Sequence, residues 1–152
     1  LDYNFEKVDE YFSFFTLRIH ITKKELNVGR FFIEGAHDRP EIELNPIENK
    51  FLIKGRSISE NAYDFYQPVI DWLDDYIKSP NALTVFEFKF EHLNTHSTQQ
   101  IMKVLQRLKK LSQGSKTKIK WFYYKDDNDM LELGNRLKEL LDVELSFIEE
   151  EH

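Results

Sequence analysis

Val85-Phe86-Glu87-Phe88-Lys89-Phe90 is the stretch that decides the fold. Successive side chains of an extended strand point to opposite faces, so Phe86, Phe88 and Phe90 share one face and Glu87 and Lys89 the other. A strand buried on both faces reads instead as a continuous apolar run. Lys118-Ile119-Lys120-Trp121 alternates in the same manner. Together they imply a sheet covered by helices mainly on one face.

The flanking sequence supplies the rest of that sheet. Glu41–Leu44 and Phe51–Gly55 read as two strands joined by a turn at Pro46-Ile47-Glu48-Asn49. Ser57-Ile58-Ser59-Glu60 fits a capping box that opens a helix running to about Ile77, with Phe65, Val69, Ile70, Leu73 and Ile77 as its apolar stripe. Beyond Phe90, Ser97–Ser112 has helical spacing through Ile101, Leu105, Leu108 and Leu111, and Gln113-Gly114-Ser115 closes it. Lys118–Tyr124 is then a strand, Asp129–Leu141 a helix capped by Asp129, and Val143–Ile148 a last strand. The expected class is α/β, a mixed sheet in the order ββαβαβαβ, with helical crossovers that make most pairing parallel.

Residues before about 33 differ from this regular order. Phe15, Leu17, Ile19 and Ile21 alternate with Thr16, Arg18, His20 and Thr22, a strand pattern, and Tyr11, Phe12, Phe14 and Phe15 form an aromatic cluster. Residues 1–32 are therefore expected to be a strand-like N-terminal extension that docks on the main unit, 33–152, or on a second copy. A homodimer through this segment or through the sheet face follows as an expectation.

Composition narrows the function classes. With 152 residues, 41% of them hydrophobic and 13 of them Phe, the chain can bury a core as one domain. A net charge of −6 disfavours nucleic acid and anionic membranes as general partners, since both are polyanions. Cysteine is absent, which excludes disulfides, thiolate metal sites and cysteine nucleophiles. No apolar run approaches the roughly 20 residues that span a bilayer, and the first residues lack the order of a signal peptide. The expected location is cytoplasmic.

Signatures of catalysis are missing. There is no phosphate-binding Gly-x-x-x-x-Gly-Lys-Ser/Thr loop and no Gly-x-Ser-x-Gly elbow, and the five glycines are scattered. His92 and His96 do not share a helical face, and further zinc ligands are not evident. In Asp126-Asp127-Asn128-Asp129 a calcium loop would place its third ligand at Met130 or Leu131, and no glycine follows. Lys116, Lys118 and Lys120 interleave with Trp121–Tyr124 as a nucleic-acid platform would, but the net acidity opposes this and the core needs half of those aromatics. A basic strand edge or partner patch is the expected reading. No enzyme activity, metal or cofactor is expected.

One stretch invites chemistry of another kind. Leu93-Asn94-Thr95-His96-Ser97-Thr98 is a hydroxyl-rich hinge between strand and helix. A phosphate there meets unpaired N–H groups and the positive end of the helix dipole. The competing reading is capping alone, with Asn94 a favoured cap and Ser97 and Gln100 spaced as a capping box.

Several segments taken in order resemble the SiaC family of bacterial regulatory phosphoproteins. They are Gly55-Arg56-Ser57-Ile58-Ser59-Glu60-Asn61, Phe65-Tyr66-Gln67-Pro68-Val69-Ile70-Asp71-Trp72-Leu73 and Phe90-Glu91-His92-Leu93-Asn94-Thr95-His96-Ser97, then Trp121-Phe122-Tyr123-Tyr124 with Asp127, Asp129 and Glu132. The resemblance spans about residues 33 to 148 and implies a fold like that of the STAS-type anti-sigma-factor antagonists. It implies reversible phosphorylation of Thr95 by a dedicated Ser/Thr kinase, removal of the phosphate by a PP2C-type phosphatase, and engagement of a diguanylate cyclase by the unphosphorylated form. Asn94, His96 and Ser97 would shape the phospho-loop, and Ser57, Glu60 and Asn61 would contribute a partner surface. His96 stands where the family has a small residue, and Ser59 where it has proline. The implied function is non-enzymatic partner switching in c-di-GMP signalling; the alternative is a structural or oligomeric scaffold in which Thr95 is only a cap.

Overall fold

Phe86, Phe88 and Phe90 are 0%, 0% and 2% exposed, while Glu87 and Lys89 are half-buried on the opposite face of one long strand, Leu83–Leu93. The structure, a computed structural model, describes residues 28–152. The elements in chain order are β1 (Phe31–Ile33), β2 (Glu41–Asn45), β3 (Lys50–Ser57), α1 (Ala62–Tyr76), β4 (Leu83–Leu93), α2 (Thr95–Gly114), β5 (Lys116–Tyr124), α3 (Asn128–Leu141) and β6 (Ser146–Glu150). The six strands of the described residues form one sheet in sequential order, antiparallel from β1 to β3 and parallel from β3 to β6.

Sequential order explains where the helices lie. Each of the three crossovers steps to the next strand in the same direction. Parallel crossovers keep one hand, so each helix must land on the same face. Consistent with this, α1 packs on α2, and α2 and α3 both pack on β5 and on each other. The core between the layers is built from Ile42, Leu44, Phe51, Ile53, the three phenylalanines and Trp121, together with Tyr66, Leu73, Ile101 and Leu108 from the helices.

At Gly134 the helix layer comes closest to the sheet. A Cβ there would lie 2.7 Å from Phe147 Cε1 and 2.8 Å from Trp121 Nε1. The absence of a side chain lets α3 sit on the Trp121 indole, whose N–H donates to the Met130 carbonyl at 3.1 Å.

Four boundaries differ from the sequence reading, each for a physical reason. β1 is an added strand, three residues long and too short to show a period, so the order is βββαβαβαβ. α1 starts at Ala62 with Asn61 as N-cap and no side-chain cap bond, because Ser57 belongs to β3 and pairs with Leu93. Asp127, not Asp129, caps α3 by accepting from Met130 N at 3.0 Å. The last strand begins at Ser146; Val143 and Leu145 are buried ahead of it. The expected strand at Phe15–Ile21 and the aromatic cluster at Tyr11–Phe15 lie outside the described residues.

Candidate functional site

A bulge sets up the hinge after β4. β3 and β4 run in step from Phe51↔Phe86 to Gly55↔Phe90, then shift so that Arg56 opposes His92 and Ser57 opposes Leu93. Glu91 is the extra residue, opposite Gly55, whose φ of 108 suits glycine. Simple alternation after Phe86, Phe88 and Phe90 would turn His92 inward. The bulge reverses the parity: Leu93 packs against the core and His92 is exposed.

That shift brings Ser57 to the start of α2. The Ser57 carbonyl accepts from Asn94 N at 3.1 Å. Its hydroxyl donates to Ser97 Oγ at 2.8 Å and lies 2.7 Å from the Tyr66 phenol, which is then placed to donate to it. Ser57, Tyr66 and Ser97 are 2%, 0% and 0% exposed. Burial pushes the Tyr66 phenol up from its ordinary pKa, with the Ser57 bond pulling the other way, so it stays neutral and able to donate. A relay of three buried hydroxyls thus ties β3, α1 and α2 together.

Asn94 is the N-cap of α2. Its side chain accepts from Ser97 N at 2.8 Å and donates to the Ser59 carbonyl at 3.3 Å, and its carbonyl accepts from the Thr98 amide and hydroxyl, both at 2.9 Å. The Ser97–Gln100 capping box does not form: the buried Gln100 Oε1 has no hydrogen-bond partner among the described residues. Three hydroxyls open the helix, and their surroundings differ. Ser97 is buried in the relay, Thr98 is half-buried and bonded, and Thr95 is exposed. No hydrogen bond among the described residues engages the Thr95 hydroxyl, which sits at the first helical position, where the backbone N–H also lacks an intrahelical partner.

The other expected site residues divide by exposure. His96 is exposed, as are Glu60 and Asn61, where Asn61 Nδ2 donates to Asp64 Oδ2 at 2.9 Å. Ser57 lies behind this surface as an internal anchor. Asn94's bond to Ser59 fixes the 57–61 segment beside the hinge.

Thr95 borders a groove of ≈ 1210 Å³ at the ends of β4 and β5, between the starts of α2 and α3. Five carboxylates line it, from Glu91, Asp126, Asp127, Asp129 and Glu132, against a single guanidinium from Arg136. His92 and His152 line it too; His152 stacks on Tyr124 at 3.9 Å and bonds Asp126 Oδ1 at 3.1 Å. Sequence reading missed Gln99 and Met102 as groove residues, although Thr95, Thr98, Gln99 and Met102 carry the i, i+3, i+4, i+7 signal of one helix face. It also missed Glu91, the extra residue of the bulge. Among the described residues no cluster of three or more His, Asp or Glu could hold a metal ion, and no helix is long and apolar enough to cross a membrane.

The site is thus an exposed Thr95 at a helix start, fixed from behind by buried polar contacts and bordered by an acidic groove, on a mixed α/β sheet. The chain belongs to the SiaC family of regulatory phosphoproteins, whose family model matches residues 33–150. An uncharacterized protein of Pseudomonas aeruginosa (strain UCBPP-PA14) is 25% identical over 108 residues, 70% of this chain and 86% of that protein. The fold is that of apo-SiaC from Pseudomonas aeruginosa, with a TM-score of 0.69 at 24% identity over 80% of this chain and 98% of that one. It is also that of SiaC in the crystal structure of the diguanylate cyclase SiaD with its activator SiaC, from the same species (TM-score 0.71, 24% identity, 80% and 99% covered).

Proposed function

We propose that this chain is a non-enzymatic, cytoplasmic partner-switching regulator controlled by reversible phosphorylation of Thr95. A Ser/Thr kinase adds the phosphate, a PP2C-type phosphatase removes it, and the unphosphorylated form engages a diguanylate cyclase. The likeness to SiaC, which activates SiaD in their complex, supports the choice of effector. The observation that carries the reading is the contrast among the hydroxyls of the first turn. Asn94 already caps the helix and Ser97 and Thr98 are engaged, whereas Thr95 is exposed and no hydrogen bond among the described residues engages its hydroxyl.

Electrostatics favours a change of binding over a change of fold. A phosphate carries roughly −1.5 to −2 charges at neutral pH. At a helix N-terminus it gains only about 0.3–1 kcal/mol, up to about 2 when partly buried, and the five groove carboxylates oppose that gain. Burying the same dianion in an interface without a matching cation costs several kcal/mol. The domain tolerates the phosphate; an interface closed over Thr95 does not.

A Thr95→Glu variant tests the reading against a co-expressed diguanylate cyclase partner. Lost or strongly weakened binding with an unchanged amide NMR spectrum away from the hinge supports it. Retained binding favours the scaffold reading.

A further inference from the structure

α1 and α2 pack side by side and carry opposite charges without admixture. α1 holds four aspartates and no lysine or arginine, whereas α2 holds four lysines or arginines and no aspartate or glutamate. α3 mixes both signs. The division reaches the surface. Tyr66, Val69, Ile70 and Leu73 bury one side of α1, and the exposed Asp64, Asp71 and Asp75 stand at i, i+7 and i+11 on the other. On α2, Lys103, Arg107 and Lys110 stand at i, i+4 and i+7 on the flank toward α1; Lys110 is exposed and the other two are half-buried. Two contacts set one lane of charge against the other. Lys103 Nζ lies 5.0 Å from the centre of the Tyr63 ring, and Arg107 Nε donates to Asp74 Oδ1 at 3.2 Å.

We propose that this two-lane face joins two copies of the chain in an isologous dimer. Both helices cross between parallel strands and so run in the same direction. A two-fold axis in the contact plane, along the α1–α2 seam, therefore sets the partner's α2 over α1 and its α1 over α2 at matching levels. Asp64 then meets the partner's Lys103, and Asp71 and Asp75 meet the partner's Arg107 and the partner's Lys110, each contact occurring twice. Charge complementarity selects this occupant. A polyanion suited to α2 is repelled by the aspartates alongside, and a polycation suited to α1 by the lysines. A second copy presents both signs in the required order. Tyr63, 55% exposed beside the seam, supplies an aromatic anchor. The face is small, since α1 is about 22 Å long and two packed helices span about 20 Å. The dimer is accordingly weak and salt-sensitive, because exposed ion pairs are screened. The groove beside Thr95 lies on the α3 flank of α2, so pairing leaves it open in both copies.

Sedimentation velocity on the full chain tests the dimer by charge exchange. The parent should self-associate with rising concentration at low salt and lose that association by at least tenfold at high salt. Asp64→Lys with Asp71→Lys makes both lanes positive, and Lys103→Glu with Lys110→Glu makes both negative; each variant keeps the Asp74–Arg107 pair. Each should be monomeric alone, and an equimolar mixture of the two should form a heterodimer. A parent that is monomeric at every concentration would overturn the proposal, as would self-association surviving in either variant or a mixture that does not associate. Amide NMR of the parent alone provides a second measurement that needs no variant. Dilution at low salt should move the signals of Asp64, Asp71, Lys103 and Lys110. Shifts centred instead on the helix-free face of the sheet or on residues 1–27 would assign self-association to another surface and overturn it.

Discussion

Ser57 and Ser97, forty positions apart in the chain, share a buried hydroxyl–hydroxyl bond of 2.8 Å that fastens the end of β3 to the first turn of α2. The bond sets the position of the hinge without using any exposed hydroxyl. Ser57→Ala removes the partner of both Tyr66 and Ser97 in a buried site, so a loss of about 1–3 kcal/mol is expected. Denaturant unfolding of Ser57→Ala, Ser97→Ala and the double variant should show less than additive losses, since the two residues act as one unit.

The division of labour between Asn94 and Thr95 gives a sharper contrast. Asn94→Ala removes the cap of α2 and should cost about 1 kcal/mol. Thr95→Ala removes an exposed hydroxyl with no hydrogen bond among the described residues and should stay within about 0.5 kcal/mol of the parent. Thermal unfolding of the pair checks this. A Thr95→Ala loss as large as that of Asn94→Ala would make Thr95 a structural cap.

Gly134 has room for no side chain. A methyl group would press on the fully buried Trp121 and on Phe147, which is packed against the core. Gly134→Ala, although it favours helix, should therefore destabilise by about 1–3 kcal/mol. Unfolding free energies compared with Gly114→Ala, where nothing lies within 4 Å, isolate the packing effect.

Acid sensitivity follows from Glu43. The Arg30 guanidinium, donating from Nε and Nη2 at 2.6 and 2.7 Å, holds this carboxyl below the ordinary carboxylate value. A lowered folded pKa contributes stability that is complete above the unfolded value and is lost as pH falls through the folded one. Glu43→Gln should remove that part of the acid dependence, so parent and variant stabilities should converge as pH is lowered through the carboxylate range. Parallel curves would contradict it.

Much of this architecture is legible in residue order, because alternation at Phe86, Phe88 and Phe90 and helical spacing at Ile101, Leu105 and Leu108 report a one-sided core directly. Competition between local and long-range partners is less legible. Ser57-x-x-Glu60 satisfies a capping motif, yet pairing with Leu93 and bonding to Tyr66 and Ser97 hold Ser57 in a strand instead. The bulge at Glu91 leaves no mark in the pattern and still decides that His92 faces out. The groove needed three dimensions, since Glu91, Arg136 and Asp126 meet only once β4, β5 and α3 are assembled. Thr95 itself could be singled out from the motif around it, but the reason to prefer it over Ser97 and Thr98 appears only in their burial.

Quantitative phosphopeptide mass spectrometry on the protein recovered from its native host, resolving Thr95 from Ser97 and Thr98, tests the central claim most directly. The account predicts partial, condition-dependent occupancy confined to Thr95. Phosphate on Ser97 or Thr98 in its place, or none across growth conditions, would contradict it.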